Sequence, residues 1–404
     1  MSVELRIEFP PEGMTARRLL MNFLAELARC EDIEILLKPE CVMVKGPSEH
    51  IIEDCFNSTL NRIGRDLETS LAQGKIKDMP LHTNDRRWVF GKLGVQAPKG
   101  SKFCQLTSQL LKRAQLTWDE LARNLRVVRE TPNMIQLGGG PKGELISLPM
   151  PLLYERYQAK YEFLRGRSGS EMKFKGAKAW LYLLLAGFAL GYCGNYITGV
   201  GRASELAIVI VPELTLSYVL ADEGARSLII RAGLLPMMRE LNRPPRPAVA
   251  YMLYVACEFV ARIKGQADIL KQIYRVPTAL LEMDRVSFTG QTFTLLERIS
   301  MDFGPLLRSL ARLDEDVITW IRDKCHKAIV GFRGTTEHYG DYVRLATAVF
   351  QALSGALDPA DLCYYALRVV AEHETKDLDP ATRLKKLRRE GWAVRRLLEG
   401  LRRT

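Results

Sequence analysis

The residues best suited to chemistry lie in IQLGGGPKGELISLP, from Ile135 to Pro149, where Gly138, Gly139, Gly140, Lys142 and Gly143 sit between two apolar stretches. Glycines lack Cβ, so they expose backbone N–H groups and permit close approach, and Lys142 adds a mobile cation. Two readings stay open: a hairpin tip that lies against a phosphate backbone or DNA groove, and a hairpin turn with no partner. Nucleotide hydrolysis is disfavoured. Gly138 and Gly143 have the spacing of a Walker A loop, but Glu144 stands where its lysine belongs, and the continuation reads as strand, not helix. A dinucleotide-binding fingerprint fails as well, because Pro141 interrupts it.

Metal and acid–base chemistry find no local motif. His50, His82, His326, His338 and His373 form no HxxxH, HExxH or histidine–cysteine zinc pattern. The carboxylates of LDED (Leu313–Asp316) open a helix, where acids favour the dipole, and AEHETKDLD (Ala371–Asp379) reads as a polar helix end. The eight cysteines are scattered with no CxxC pair, which favours a reducing compartment over a disulfide framework. No catalytic residue, metal or cofactor is therefore expected, and a nucleic-acid-processing enzyme with a dispersed site is the alternative.

Charge carries more information. The net charge is +11 over 404 residues, which suits a polyanionic partner. One basic segment runs from Lys75 to Lys102. It holds Arg86, Arg87, Lys92, Lys99 and Lys102 around Trp88 and Phe90, a mixture suited to phosphate contact with base stacking. The alternative there is a small strand packing Trp88 and Phe90 on the core. The second basic segment is RLKKLRREGWAVRRLLEGLRR, with nine basic residues and two acids. On a helix, Leu384, Leu387, Val394, Leu397, Leu398 and Leu401 can face a bundle, while Arg388, Arg389, Arg395 and Arg396 crowd the other faces.

The elements that must hold these segments are mixed at first. SVELRIEF alternates as a half-buried strand, and TARRLLMNFLAELARC reads as a helix capped by Thr15. Two short strands follow around Lys38–Glu40, then a long amphipathic helix capped by Ser48 and ended by Gly74. Ile135 and Leu137 pair with Leu145, Ile146 and Leu148 as the arms of the glycine hairpin. From Pro151 onward the pattern reads as helix, near 152–165, 174–194, 214–241, 247–263, 288–301, 314–331, 338–354, 359–373 and 380–402, with LAIVIVP ambiguous. The expected fold class is α+β: a mixed domain over 1–150 and a helical domain over 151–404. AWLYLLLAGFALGYCGNYITGVG is apolar, but its uninterrupted part is too short for a bilayer, so it reads as a central buried helix, with Ala186, Gly187 and Gly191 admitting a close neighbour. The acids of MSVELRIEFPPEG make an export signal unexpected, and a cytoplasmic protein with no membrane partner follows.

A basic α+β domain with GGGPKG at Gly138–Gly143, a basic loop at Arg86–Lys102 and a helical run from Pro151 resembles the large (Cas-eight) subunit of archaeal type I-A CRISPR effector complexes. The resemblance covers the architecture of the whole chain. It implies a non-enzymatic subunit in antiviral defence, placed at the 5′-handle end of a guide RNA. Such a subunit recognises the short motif (PAM) beside the target DNA and starts duplex opening, while base pairing reads the rest. It implies backbone and small subunits as partners, and cleavage by a separate nuclease–helicase. The glycine tip, with Lys142 and the nearby Asn133, would then meet base edges in the minor groove.

Overall fold

The structure, a computed structural model, describes residues 2–131, 134–139, 145–153, 173–197, 204–221, 233–241, 243, 245–275, 278–289, 293–331, 339–357 and 359–402. The chain is α+β and forms two compact units, Met1–Ile230 with Leu281–Ser300, and Arg231–Leu280 with Met301–Thr404. The first unit therefore runs well past residue 150 and takes back a later segment. That segment is a strand pair that completes a sheet, whereas the sequence pattern places a helix near 288–301.

The first unit opens with strand β1 (Val3–Glu8), helix α1 (Thr15–Leu27), strands β2 (Glu34–Leu37) and β3 (Cys41–Gly46), and helix α2 (Glu49–Ala72). The strands form an antiparallel sheet in the order β1-β3-β2, with Val3 opposite Gly46 and Glu34 opposite Lys45. Ser48 caps α2 by accepting from the Ile51 N–H, and Gly74 follows the helix at φ +66°, where L side chains are strained. Thr15 is not the cap of α1. Met14 takes that position, and Thr15 is the buried first residue of the helix.

Helix α3 (Phe103–Lys112), helix α4 (Trp118–Asn124), and strands β4 (Val127–Thr131), β5 (Met134–Leu137), β6 (Ile146–Ser147) and β7 (Lys173–Gly176) come next. Helix α5 (Lys178–Gly191) is the centre of the unit and is buried along nearly its whole length. A Cβ at Gly187 would stand 1.9 Å from the Leu19 carbonyl of α1, so only glycine allows that approach. Asn22 locks the contact: its Nδ2 donates to the carbonyls of Gly187 and Val209, and its Oδ1 accepts from the Val211 N–H. Among the described residues no helix is long and apolar enough to cross a membrane.

The unit also contains strands β8 (Tyr192–Ile197) and β9 (Ser204–Ile210), helix α6 (Glu213–Ala221) and, from later in the chain, β10 (Leu280–Phe288) and β11 (Phe293–Asp302). The sheet order is β11-β10-β9-β8, with Glu282 opposite Ile210 and Tyr192 opposite Ile208. Among the described residues five strands thus follow Pro151, where a nearly continuous helical run was expected. LAIVIVP is one of them, and its side chains are buried on both faces, which erases the alternation that marks a strand. Ion pairs centred on buried Asp284 and Arg285 hold this sheet: Asp284 binds Arg18 and Arg298, and Arg285 binds Glu205 and Glu297.

The second unit packs helices α7 (Leu234–Leu241), α8 (Ala248–Ile263), α9 (Ala267–Arg275), α10 (Phe303–Ala311), α11 (Glu315–Gly331), α12 (Tyr339–Leu353), α13 (Pro359–Val369) and α14 (Pro380–Arg402). Helix α8 touches α7, α9, α10, α11 and α12. A π-helical turn, Val370–Glu374, follows α13 and carries Glu374 into the interior. Cys30 and Cys55 form a disulfide that ties the end of α1 to α2, correcting the expectation of unpaired cysteines; the other six form no disulfide, and five of them are buried.

Candidate nucleic-acid interface

The two arms of the expected glycine hairpin do not pair with each other. Strand β7 lies between them, parallel to β5 and antiparallel to β6, in the order β4-β5-β7-β6. Gly138 is committed to the interior. Its φ is +97°, its N–H donates to the Arg126 carbonyl at 2.7 Å, and its own carbonyl accepts from Gln136 Nε2 at 2.8 Å. A Cβ there would meet Ala177 and the Asn124 carbonyl at 2.7 Å, so packing explains this glycine without a ligand. Gly139 is half-buried beside the Arg123 carbonyl. Asn133, Gly140, Lys142 and Gly143 lie outside the described residues.

The Lys75–Lys102 segment is built as a platform. Asp78 accepts from the N–H groups of Met79, Cys104 and Gln105, which fastens the segment to the start of α3. Pro80 bridges Lys102, and the Phe103 N–H donates to the Met79 carbonyl. A π-helical turn over Arg86–Phe90, rather than a strand, sends successive side chains in different directions. Phe90 goes inward and joins Phe103, Phe188 and Tyr192 in a chain of rings 5.2–5.6 Å apart. Trp88 goes outward and is 49% exposed, with the Arg87 guanidinium 5.0 Å from its ring centre. Arg87, Lys92, Lys99 and Lys102 are exposed, and Arg86 is half-buried with an unpartnered Nε among the described residues. Beneath them Asp85 is buried; among the described residues only the Met150 N–H is directed at its carboxylate, and burial pushes its pKa up to about 7.

Helix α14 is the second basic surface. It is seated by Glu390, Ala393, Val394 and Leu397, spaced to share one face, and Gly400 lies against Leu313. Leu384 does not face the bundle as expected; it is 51% exposed, because the first turns of the helix carry no buried side chain before Glu390. Arg388 and Arg389 are exposed and make no ion pair among the described residues. Arg395 pairs with Glu399, and Arg396 with Asp314 and Glu399, so part of the expected positive charge is neutralised locally. Arg396 also stands 5.3 Å from the ring centre of Trp392, which is 43% exposed. Each unit therefore presents exposed cations beside a tryptophan with an arginine over its ring.

Below α14 lies a charged core that the sequence reading missed. Lys324 is only 1% exposed, and its Nζ donates to Glu374 at 2.7 Å and Glu390 at 3.1 Å. Lys327, Lys386 and the Tyr342 hydroxyl also reach Glu374, and the Trp320 N–H donates to Glu390. Burial by itself raises the Glu374 pKa, but Lys324 and Lys327 outweigh it and hold the carboxyl at about 2. The signal was present: Val317, Ile318, Ile321, Lys324, Cys325 and Ala328 follow helical spacing, which places a lysine on the apolar face.

A smaller cluster joins Asp341 to the π-helical turn. His373 Nε2 lies 2.7 Å from Asp341 and 3.9 Å from Glu372, and these ligand-type atoms are close enough to share a cation. Each carboxylate also engages an arginine, Arg344 and Arg368 respectively. Compared with known proteins, the chain matches no family model and no curated protein sequence.

Proposed function

We propose that this chain is a non-catalytic nucleic-acid-binding protein, and specifically the large subunit of an RNA-guided CRISPR surveillance complex that recognises the target-flanking motif and promotes duplex opening. The observation that carries the nucleic-acid reading is the pair of exposed cationic surfaces, Arg87–Lys102 around Trp88 and Arg388–Arg389 on α14. Backbone phosphates meet the cations, and unpaired bases stack on the ring. The subunit assignment adds the resemblance carried by GGGPKG and the α+β architecture. Its partners are guide RNA, target DNA, the backbone and small subunits and a separate nuclease–helicase, in a cytoplasmic setting.

Binding to duplex DNA, single-stranded DNA and a guide-RNA complex, measured by fluorescence anisotropy across a salt series, tests it. Affinity is expected to fall steeply with salt as counterions are released. Lys142→Ala is expected to lower discrimination among flanking motifs more than general affinity. Absence of binding in all three settings ends the reading. The Asp341–Glu372–His373 cluster favours a second reading, a metal-dependent nucleic-acid-processing enzyme. Cleavage that needs Mn2+ or Mg2+ and disappears in Asp341→Asn would establish that alternative.

A further inference from the structure

The second unit contains a cleft of about 830 Å3 between α8, α11 and α14, ended by the π-helical turn at Glu374. That size falls within the range of small-molecule sites. Most charges at its floor are already engaged: Glu374 and Glu390 with Lys324, Lys327 and Lys386, Glu258 with Arg322, and Asp323 with Lys327. Four polar side chains that line it make no hydrogen bond or ion pair among the described residues: Arg389, His326, Thr319 and Asp316. Aromatic surface stands on both walls. On one the His326 and Tyr254 rings lie 5.7 Å apart; on the other is Trp392.

We infer that this cleft binds a nucleotide unit, with its base between Trp392 and the Tyr254–His326 pair and its phosphate on Arg389. The uncommitted groups decide the class. A single free guanidinium suits one phosphate, and the paired floor leaves no excess of positive charge for a polyanion to follow. Flat rings on both walls suit a base, since every base offers a π-face. Asp316 and Thr319 supply an acceptor and a hydroxyl for ribose or exocyclic amino groups. The inference goes beyond the proposed function, because a free mononucleotide would use only Arg389 of the α14 surface and nothing of the Arg87–Lys102 surface.

Adenosine 5′-monophosphate is titrated into the full chain while tryptophan emission is followed, since Trp320 and Trp392 both line the cleft. Saturable quenching is expected, weakened about tenfold or more by Arg389→Ala, as for loss of a charge-assisted hydrogen bond. His326→Ala is expected to weaken it about fivefold through diminished stacking, with duplex-DNA affinity unchanged. A short single-stranded oligonucleotide in place of the monophosphate separates the sources: tighter binding assigns the unit to a strand, weaker binding to a free nucleotide. No saturable quenching by either probe overturns the inference, as does binding that both variants retain in full. Inorganic phosphate or free tryptophan competing as well as the monophosphate also overturns it, because neither joins a base to a phosphate. Thermal melts of both variants confirm that these exposed substitutions leave the fold intact.

Discussion

The two basic surfaces rest on opposite foundations. Under the loop of the first unit, Asp85 is buried with no cation paired to it among the described residues, and its pKa rises to about 7. Under α14 of the second unit, Glu374 is buried among three lysines and stays ionised down to about 2. Among the described residues Arg87, Lys92, Lys99 and Lys102 thus make no ion pair with an acid, whereas Lys324, Lys327, Lys386, Arg395 and Arg396 all do. Counting charge along the chain made the C-terminal helix the more basic surface. After internal pairing, the exposed cations there without an ion pair among the described residues are Arg383, Lys385, Arg388 and Arg389. Surface electrostatics is what remains after the fold has paired its own charges.

The largest break in the comparison comes from Lys324→Met. It leaves Glu374 and Glu390 buried without their shared lysine, and a cost of about 3–5 kcal/mol is expected in urea unfolding. Adding Glu374→Gln and Glu390→Gln should recover most of that loss, because the penalty is the stranded charge rather than the missing ion pair. Asp85→Asn should cost far less at pH 7, since its carboxyl is already close to half-protonated there.

The pH dependence sharpens the contrast, because the signs are opposite. Asp85 holds its proton more tightly folded than unfolded. Its contribution is therefore full below about pH 4 and is lost as pH rises toward 7, by up to about 4 kcal/mol. Glu374 binds its proton less tightly when folded. Its contribution is present above about pH 4.5 and is lost as pH falls through about 2. Stability measured from pH 2 to pH 8 should show Asp85→Asn flattening the upper window and Glu374→Gln the lower. Identical profiles for the two variants would remove the distinction between the surfaces.

Much of this arrangement was legible in the chain, and the illegible part has a physical cause. The first strand, the Ser48–Gly74 helix, the central Ala179 helix with its close glycines, and the arginine-rich last helix all carry local signals: alternation, caps, small residues, one-sided charge. The strands β9, β10 and β11 do not. The first is buried on both faces, β10 buries an acid and an arginine that only distant partners make tolerable, such as Asp284 beside Arg18 of α1 and Arg298 of β11, and β11 leaves most of its side chains exposed or half-buried. Gly138 misled for a related reason. A glycine needed for packing against Ala177 has the same letter as one needed for a ligand.

A smaller difference should separate the arginine pairs of α14. Removing the cation from one bound phosphate flattens the logarithmic salt slope by about one unit. Replacing Arg388 and Arg389 with alanine should therefore flatten the slope for duplex binding by about two units. The same change at Arg395 and Arg396 should flatten it less, because Glu399 and Asp314 already compete for those guanidinium groups. Equal slopes for the two double variants would show that the internal pairs open freely on binding.

The least effect is expected at the exposed tryptophans, where the comparison turns on what each ring can stack against. A base on a free aromatic face is worth about 1–3 kcal/mol, but Arg87 already stands over Trp88, and displacing it forfeits about 0.5–1 kcal/mol. Trp88→Ala should therefore weaken single-stranded DNA by about 1 kcal/mol, roughly fivefold, and leave duplex affinity almost unchanged, since stacked bases in a duplex offer no free face. Trp392 is held differently: Arg396 over its ring is itself tied to Asp314 and Glu399. Its remaining surface lines the cleft, so Trp392→Ala should show in mononucleotide binding rather than in long-strand affinity. Anisotropy with both substrates on both variants reads the difference directly, and a loss confined to duplex DNA in either one would mean that the rings pack the fold rather than receive bases.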